Sequence, residues 1–383
     1  MKKIALVLFD WFPHGGLQRD CARIGQSLIN SGAQVDVLCM TCEGDLPDGM
    51  TLIQPVLTGN TKVAQRRAFA NFLQAHLADV AYDSVLGFNR LPGLDYYFAA
   101  DTCFAWKATH ERNWLYRLAP RNRQYLAFEK AVFAPQSTTT VFILSPLQKE
   151  EYLACYPHAG KRMVDIPPGI ARDRMAGDDA EDLRQSVRQE LNIAADEVLI
   201  LQVGTGFPVK GVDRSLTAIA ALPDALRSKV RFLLLGADKH NKYKNMADNL
   251  DIGSCVTVLD GRDDMPRMLQ GADLLLQPSR KESAGMVLLE AIVAGLPVLT
   301  TETCGYAFHV RQSGAGCVID EPFTQQALNE ALLSMLLVFD KNTERSSWKQ
   351  KGIQYGREGD FYAMPEKVAA RVLEANGDDA HVS

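Results

Sequence analysis

Two doubly wound α/β domains, each a parallel sheet covered by helices, are what this 383-residue sequence predicts. Short apolar runs alternate with helix-period segments along nearly the whole chain. The alternation breaks once, at a stretch rich in proline, glycine and polar residues, and then restarts. The length suits two domains of about 100–200 residues each.

The first half opens with an apolar strand over residues 4–9, a Pro/Gly turn over 13–16 and a helix over 17–30 stopped by Ser31-Gly32. A second strand over 34–39 completes a β-loop-α-β unit, which requires a parallel, buried pair. Further strands are predicted over 52–55, 84–88, 97–99 and 140–144, with a helix over 60–79. The break spans 166–182, from Pro167-Pro168-Gly169 to Gly177-Asp178-Asp179. After it come strands over 197–203, 230–235, 256–260, 274–277, 298–300 and 317–319, and helices over 212–221, 266–270, 284–294 and 325–339. The predicted division is 1–168, completed by a C-terminal helix within about 360–383, and 169–359. Two such sheets facing one another leave a cleft at the carboxyl ends of their strands, where open α/β sheets bind ligands.

Composition excludes several classes. A hydrophobic fraction of 47% with 23% charged residues is that of a globular protein, not a disordered or fibrous one. A net charge of −5 does not suit a dedicated nucleic-acid binder, so no nucleic-acid partner is expected. No apolar run approaches the ~18–20 residues that span a bilayer. The opening MKKIALVLFDWFPHGG lacks a small-residue cleavage site and reads as a first strand, so a cytoplasmic protein is expected. Of the eight cysteines only Cys39 and Cys42 form a C-x-x-C, with no second pair at zinc spacing; no metal site is expected.

Two segments carry chemistry. Gly204-Thr-Gly206-Phe-Pro-Val-Lys210-Gly211 fails the dinucleotide fingerprint, because Val209 stands at the third glycine, and fails the P-loop, because Val212-Asp213 follow the lysine-glycine pair. What remains is a glycine-lined strand-to-helix turn that brings backbone close to an anion, with Lys210 as a point charge. The second segment is Lys281-Glu282-Ser-Ala284-Gly285-Met286-Val-Leu-Leu-Glu290. Small residues at a helix start leave its N–H groups open to a phosphate, so Ala284, Gly285 and Met286 are candidate donor contacts. Glu282 sits where it accepts from sugar hydroxyls. Glu290 lies two turns into an apolar helix, where a carboxylate is costly unless paired or bonded by a ligand such as a ribose diol. With no D-x-D in the chain, a leaving diphosphate must be neutralised by basic side chains and helix dipoles; no metal or other cofactor is expected.

Together these residues resemble the retaining family 4 glycosyltransferases of GT-B fold, whose donor domain carries an E-x7-E motif matched by Glu282 and Glu290. Trp11-Phe12-Pro13-His14-Gly15-Gly16-Leu17, Gly87-Phe88-Asn89, Leu91-Pro92-Gly93, Pro167-Pro168-Gly169-Ile170, Lys210-Gly211-Val212-Asp213 and Cys304-Gly305-Tyr306-Ala307 extend the resemblance over nearly the whole chain, toward members that glucosylate the lipopolysaccharide core. The resemblance implies transfer of glucose from UDP-glucose to a heptose of a lipid-anchored inner-core acceptor at the inner face of the inner membrane. It also implies that Gly15 and Gly16 approach the donor phosphates, Lys210 neutralises the diphosphate, Glu282 holds the glucose and Glu290 the ribose. Asp20 and Asp101 fall at positions suspected of touching the reacting sugars. Val209 stands where relatives often carry an arginine, which leaves Arg172 or Arg174 as the second charge. A UDP-sugar epimerase and a non-catalytic nucleotide-sugar-binding module are the alternatives.

Residues 104–133 concentrate positive charge: Lys107, Arg112, Arg117, Arg121, Arg123 and Lys130 against Glu111 and Glu129, or 6 − 2 = +4 inside a chain of −5. Aromatic residues, Trp114 among them, interleave with these cations. Side chains of this kind suit an anionic membrane surface, so peripheral attachment is expected; a solvated basic helix pair packing its aromatics inward is the alternative.

Overall fold

The computed structural model describes residues 1–12, 15–339 and 343–374. Pro13 and His14 of the predicted first turn, and 375–383 of the predicted C-terminal segment, lie outside the described residues. The chain forms two compact domains, one of Met1–Gly169 joined by the chain from Tyr362 onward, the other of Ile170–Phe361.

The first domain carries β1 (Lys3–Trp11), β2 (Gln34–Cys42), β3 (Met50–Ile53), β4 (Ser84–Gly87), β5 (Tyr96–Phe98), β6 (Thr140–Ile143) and β7 (Met163–Asp165). Its helices are α1 (Gly16–Asn30), α2 (Lys62–Asp79), α3 (Phe104–Trp106), α4 (Pro120–Phe133) and α5 (Pro146–Cys155). The strands pair in the order β3-β2-β1-β4-β5-β6-β7, every neighbouring pair parallel. A sheet covered on both faces needs continuous apolar strands, and β1 shows how the period of two is used. Ile4, Leu6 and Leu8 join one core with Cys21, Ile24 and Leu28 of α1. Ala5, Val7 and Phe9 join another with Phe69 and Leu73 of α2 and Val132 and Phe133 of α4.

The second domain carries β8 (Val198–Val203), β9 (Val230–Leu235), β10 (Val256–Leu259), β11 (Leu274–Gln277), β12 (Val298–Thr301) and β13 (Gly316–Ile319), ordered β10-β9-β8-β11-β12-β13 and again parallel. Its helices are α6 (Ala180–Glu190), α7 (Phe207–Lys210), α8 (Val212–Ala220), α9 (Asp224–Arg227), α10 (His240–Asn249), α11 (Met265–Gly271), α12 (Met286–Val293), α13 (Ala307–Ser313), α14 (Gln325–Phe339) and α15 (Thr343–Glu358). A last helix, α16 (Met364–Leu373), returns to the first domain, where Met364, Val368, Ala369 and Val372 share the core of Ile4 and Ile24. Ser84 Oγ and Tyr96 Oη donate to the carbonyls of Val372 and Arg371 at its end, at 3.0 and 3.1 Å.

Both sheets are doubly wound, as the sequence predicts, and the differences are local. β2 continues three residues past the predicted end, so Cys39 lies inside a strand; burial first, then Cys42, pushes its thiol up to about 12. The 3₁₀ and π turns of residues 107–118 replace one of the two helices expected in the basic segment, leaving α4 as its only long helix. The helix predicted from 284 begins at Met286, because Gly285 adopts φ +82 and caps it in the left-handed conformation.

Candidate active site

In the second domain the strand order reverses between β8 and β11, and both chemical segments follow these two strands. Ligands of open α/β sheets bind outside the carboxyl ends of strands at such a point. After β8 the chain passes through Gly204 at φ +136 and Gly206 at φ +75 into the single turn α7, which ends on Lys210. A Cβ on Gly204 would lie 2.6 Å from Lys210 Cε, so the lysine side chain folds back across that glycine. A Cβ on Gly211 would lie 2.1 Å from the carbonyl oxygen of Pro278, so this glycine lets the two loops touch.

Arg280 fastens the loops together. Its N–H donates to the Val209 carbonyl at 2.7 Å and its Nη1 to the Pro208 carbonyl at 2.8 Å. Its two Nη groups also bind both oxygens of Asp213 at 2.8 and 2.7 Å, a bidentate clamp that holds the start of α8 beside the loop after β11.

Lys210 Nζ is ion-paired with Glu282 Oε2. Ser279 Oγ donates to Glu282 Oε1, and the Gln277 amide and Cys304 thiol approach the same oxygen at 3.5 Å. Burial works to raise the Glu282 pKa, but Lys210, Ser279 and Cys304 outweigh it and hold the carboxylate below its usual range. The Glu282 backbone is pinned as well: its N–H donates to Thr303 at 3.1 Å and its carbonyl accepts from Gly305 at 3.0 Å. Ala284 and Gly285 are buried, Met286 is half-buried, and the first-turn amides of α12 follow directly. Glu290 is buried on α12, with Arg174 Nε at 3.5 Å from its Oε1. Arg174 also binds Asp173 at 2.9 Å, while Arg172 is exposed. The structure therefore sets Arg174 against a predicted site carboxylate. A cation, a fixed carboxylate and a helix start gathered at one strand reversal can hold an anionic diphosphate and accept from hydroxyls beside it.

In the first domain the reversal falls between β1 and β4. Gly15 caps α1 and accepts from Arg19 N–H at 2.9 Å; Gly16 opens the helix and is exposed. A Cβ on Gly15 would lie 1.9 Å from Gln18 Oε1, whose amide group donates to the Asp10 carbonyl at 2.7 Å. Asp20 is buried within α1. Asp101 instead keeps 49% of its side chain exposed, with Arg90 Nη2 at 3.3 Å from Oδ2.

The basic segment belongs to this domain. Arg112, Arg117, Arg121, Arg123 and Lys130 are exposed and Lys107 is half-buried. The aromatics mostly turn inward: Phe133 is buried, and Phe104 packs on Tyr116 and Tyr125. The exposed apolar side chains are Trp114, Leu115 and Leu118, all on the 3₁₀ turn Trp114–Leu118. Glu129 is wholly buried against Arg90, so it does not offset the surface charge, which becomes 6 − 1 = +5 for the segment counted above. Among the described residues no helix is long and apolar enough to cross a membrane.

Sequence reasoning missed Arg280, Ser279, Arg90 and the inward turn of Glu129, which no local spacing marks, and gave Asp213 of the Lys210-Gly211-Val212-Asp213 motif no role of its own.

Comparison with known proteins bears on this arrangement. Residues 184–354 match the model of the family described as glycosyl transferases group 1. The chain is 40% identical over 366 residues to the lipopolysaccharide glucosyltransferase WaaG of Escherichia coli (strain K12), covering 96% of this chain and 97% of that protein. A crystal structure of WaaG, described as a glycosyltransferase involved in lipopolysaccharide biosynthesis, superposes with a TM-score of 0.93 at 40% identity, covering 97% of this chain and all of that one. A sucrose-phosphate synthase from Thermosynechococcus elongatus shares the fold, at a TM-score of 0.75, 21% identity and 97% of each chain.

Proposed function

The chain belongs to the glycosyl transferases group 1 family, and on that premise we propose that it moves glucose from UDP-glucose to a heptose of the lipopolysaccharide inner core, with retention at the anomeric carbon and without a divalent metal. One observation carries the reading: the Lys210–Glu282 pair stands at the β8/β11 reversal, immediately before the Gly285-capped start of α12. The 40% identity to WaaG over nearly the full chain favours a lipopolysaccharide acceptor over others.

In this proposal the diphosphate takes Lys210 away from Glu282, and the freed carboxylate accepts from the glucose hydroxyls. Glu290, beside Arg174, accepts from the ribose. The bond from the anomeric carbon to the phosphate oxygen breaks with its electron pair on the phosphate. The charge growing there is met by Lys210 and the α12 start, which is where fixed electrostatic groups accelerate a reaction. The acceptor hydroxyl attacks the same face of the oxocarbenium-like sugar, and its proton passes to the departing phosphate. Asp101 serves the acceptor side.

Membrane attachment through residues 104–133 is part of the proposal. Trp114, Leu115 and Leu118 supply exposed apolar side chains, interleaved in sequence with the exposed Arg112, Arg117, Arg121 and Arg123. Each cation near an anionic leaflet contributes about 1 kcal/mol, so binding is expected to be weak and salt-sensitive.

The test is a panel of radiolabelled UDP-sugars offered to core lipopolysaccharide truncated at its heptoses, with and without EDTA. Glucose transfer that EDTA leaves unchanged supports the reading. Isomerisation of the donor without acceptor would point to an epimerase, and UDP binding without turnover to a binding module. Sedimentation with phosphatidylglycerol vesicles, lost in the Arg117→Gln/Arg121→Gln/Arg123→Gln variant, tests the attachment separately.

A further inference from the structure

Behind Asp101 lies a buried charge relay that neither the family motif nor the donor site accounts for. Glu129, on α4, has no solvent exposure. A buried carboxylate is tolerated only when fully paired. Glu129 meets that demand, accepting from Arg90 Nη1, from the N–H groups of Phe104 and Ala105 at 2.7 and 2.8 Å, and from Tyr156 Oη at 3.1 Å. Cys103 Sγ stands 3.8 Å away. Arg90 is 7% exposed, and its Nη1 also donates to the Thr102 carbonyl at 3.2 Å. A planar guanidinium held at one nitrogen has little freedom at the other. That other nitrogen, Nη2, faces Asp101 at 3.3 Å.

The backbone of Asp101 is fixed from behind as well. Its carbonyl accepts from Gln148 Nε2 at 3.0 Å and from Tyr152 Oη at 3.2 Å. Two carboxylates and one guanidinium leave a net −1, and the sole member of the trio open to solvent is Asp101. Burial works against the charge on Arg90, but the adjacent carboxylates of Asp101 and Glu129 keep the guanidinium protonated. Burial likewise pushes the Tyr152 and Cys103 protons well above their usual range, so neither neighbour ionises near neutral pH. If Glu129 only capped the start of α3, nothing would require Arg90 to bridge onward to a half-exposed carboxylate.

We propose that Arg90, locked by Glu129, is a positioning residue that holds the Asp101 carboxylate in the orientation the sugar acceptor meets. This rests on the reading of Asp101 as an acceptor-side group, and it adds two residues, Arg90 and Glu129, to the machinery of transfer.

A double-mutant cycle on the full chain tests it, reading kcat/KM for truncated-core acceptor, UDP affinity by calorimetry and melting temperature. Asp101→Asn should lower kcat/KM by about a hundredfold, the scale of a lost acid–base or hydroxyl-orienting group. Arg90→Gln should lower it about tenfold in the native chain but less than twofold in the Asp101→Asn background, because contacting residues that act through one another are not additive. UDP affinity should stay unchanged throughout. Arg90→Lys and Glu129→Gln, milder should Arg90→Gln fail to fold, are each expected to give a partial loss that also vanishes in the Asp101→Asn background. Equal losses from the Arg90 or Glu129 variants in both backgrounds would overturn the positioning role and leave the Asp101 reading standing. A silent Asp101→Asn would remove that reading, and the positioning role with it.

Discussion

Each domain buries an acidic side chain among basic partners, yet the two clusters stand in different relations to the chemistry. In the second domain Asp273, 1% exposed, sits at the entry to β11, the end opposite Glu282. Its Oδ1 accepts from Arg184 Nη2 at 2.5 Å and from Arg345, its Oδ2 from Arg188 Nη1 at 2.9 Å and from Leu199 N–H at 2.8 Å. Those contacts tie α6, β8 and α15 to the sheet, and none leads toward Lys210. In the first domain the Glu129–Arg90 pair continues into a half-exposed carboxylate. Two networks of similar chemistry thus differ in where they end. One ends within the fold and fastens it; the other ends at solvent and presents a group.

That contrast breaks if Asp273→Asn impairs transfer as strongly as it impairs stability. Removing one partner from a buried ionic cluster costs roughly 3–5 kcal/mol, because the remaining charges lose their counterion. Urea unfolding should show a loss of that size while kcat per folded molecule and UDP affinity hold. Burial works to raise the Asp273 pKa, but Arg345, Arg184, the Leu199 N–H and Arg188 outweigh it and depress the value. A depressed carboxylate contributes stability above its unfolded pKa, about 3.9, and loses it as pH falls through the lower folded value. The native chain should therefore lose this contribution below about pH 4, and Asp273→Asn should lack that part of the acid transition.

Lys210→Ala sharpens the contrast from the other end of the same domain. A fixed cation facing charge that grows in the transition state contributes on the order of 10²–10³ in kcat. We expect that loss with a smaller change in melting temperature than Asp273→Asn brings, since Lys210 is half-buried and the carboxylate it leaves keeps Ser279 and Cys304 as donors. A variant that melts early but turns over normally would reverse the assignment of the two ends.

His309 adds a titratable group that belongs to neither ionic cluster. It is buried on α13, with Nδ1 2.7 Å from Tyr355 Oη and rings of Tyr306 and Phe361 around it. Burial pushes its pKa down to about 4. The unfolded chain binds a proton near pH 6.5 and the folded chain does not, so stability falls as pH drops from about 6.5 to about 4, by about 3 kcal/mol in all. Replacing His309 with Gln should flatten the unfolding free energy across that window; an unchanged slope would exclude it as the source.

The meeting of Lys210 with Glu282 was legible because each lies in a loop that follows one strand of a parallel sheet, and β8 and β11 are neighbours in that sheet. The alternation of apolar runs made both sheets readable. Arg90 and Glu129 are 39 residues apart, and only the packing of α4 on the sheet brings them together. Glu129 looked like a surface counterion since it lies among exposed cations on α4, and composition does not say which face of a helix turns inward. The aromatics of 104–133 divide for the same reason, with Trp114 exposed as the membrane reading expects and Phe133 in the core. Gly285 signalled a helix start correctly in kind, but its left-handed backbone moved that start to Met286.

The smallest expected effect separates the two glutamates. Glu290 is buried and has Arg174 beside it, whereas Glu282 is held by Lys210, Ser279 and Cys304 at the loop. If Glu290 accepts from the ribose, Glu290→Gln should weaken UDP itself by ~1–3 kcal/mol, the worth of a charged hydrogen bond. If Glu282 has its partner on the sugar, Glu282→Gln should slow transfer while UDP affinity changes little. Part of the Glu282 loss arises without any ligand, because the variant leaves Lys210 without its carboxylate. Calorimetric UDP titration is blind to the sugar, and initial rates with UDP-glucose are not; the pair of measurements resolves the roles. Equal loss of UDP affinity in both variants would mean that the E-x7-E spacing reports one shared nucleotide contact, and the donor end of the second domain would then bind its ligand as a single unit.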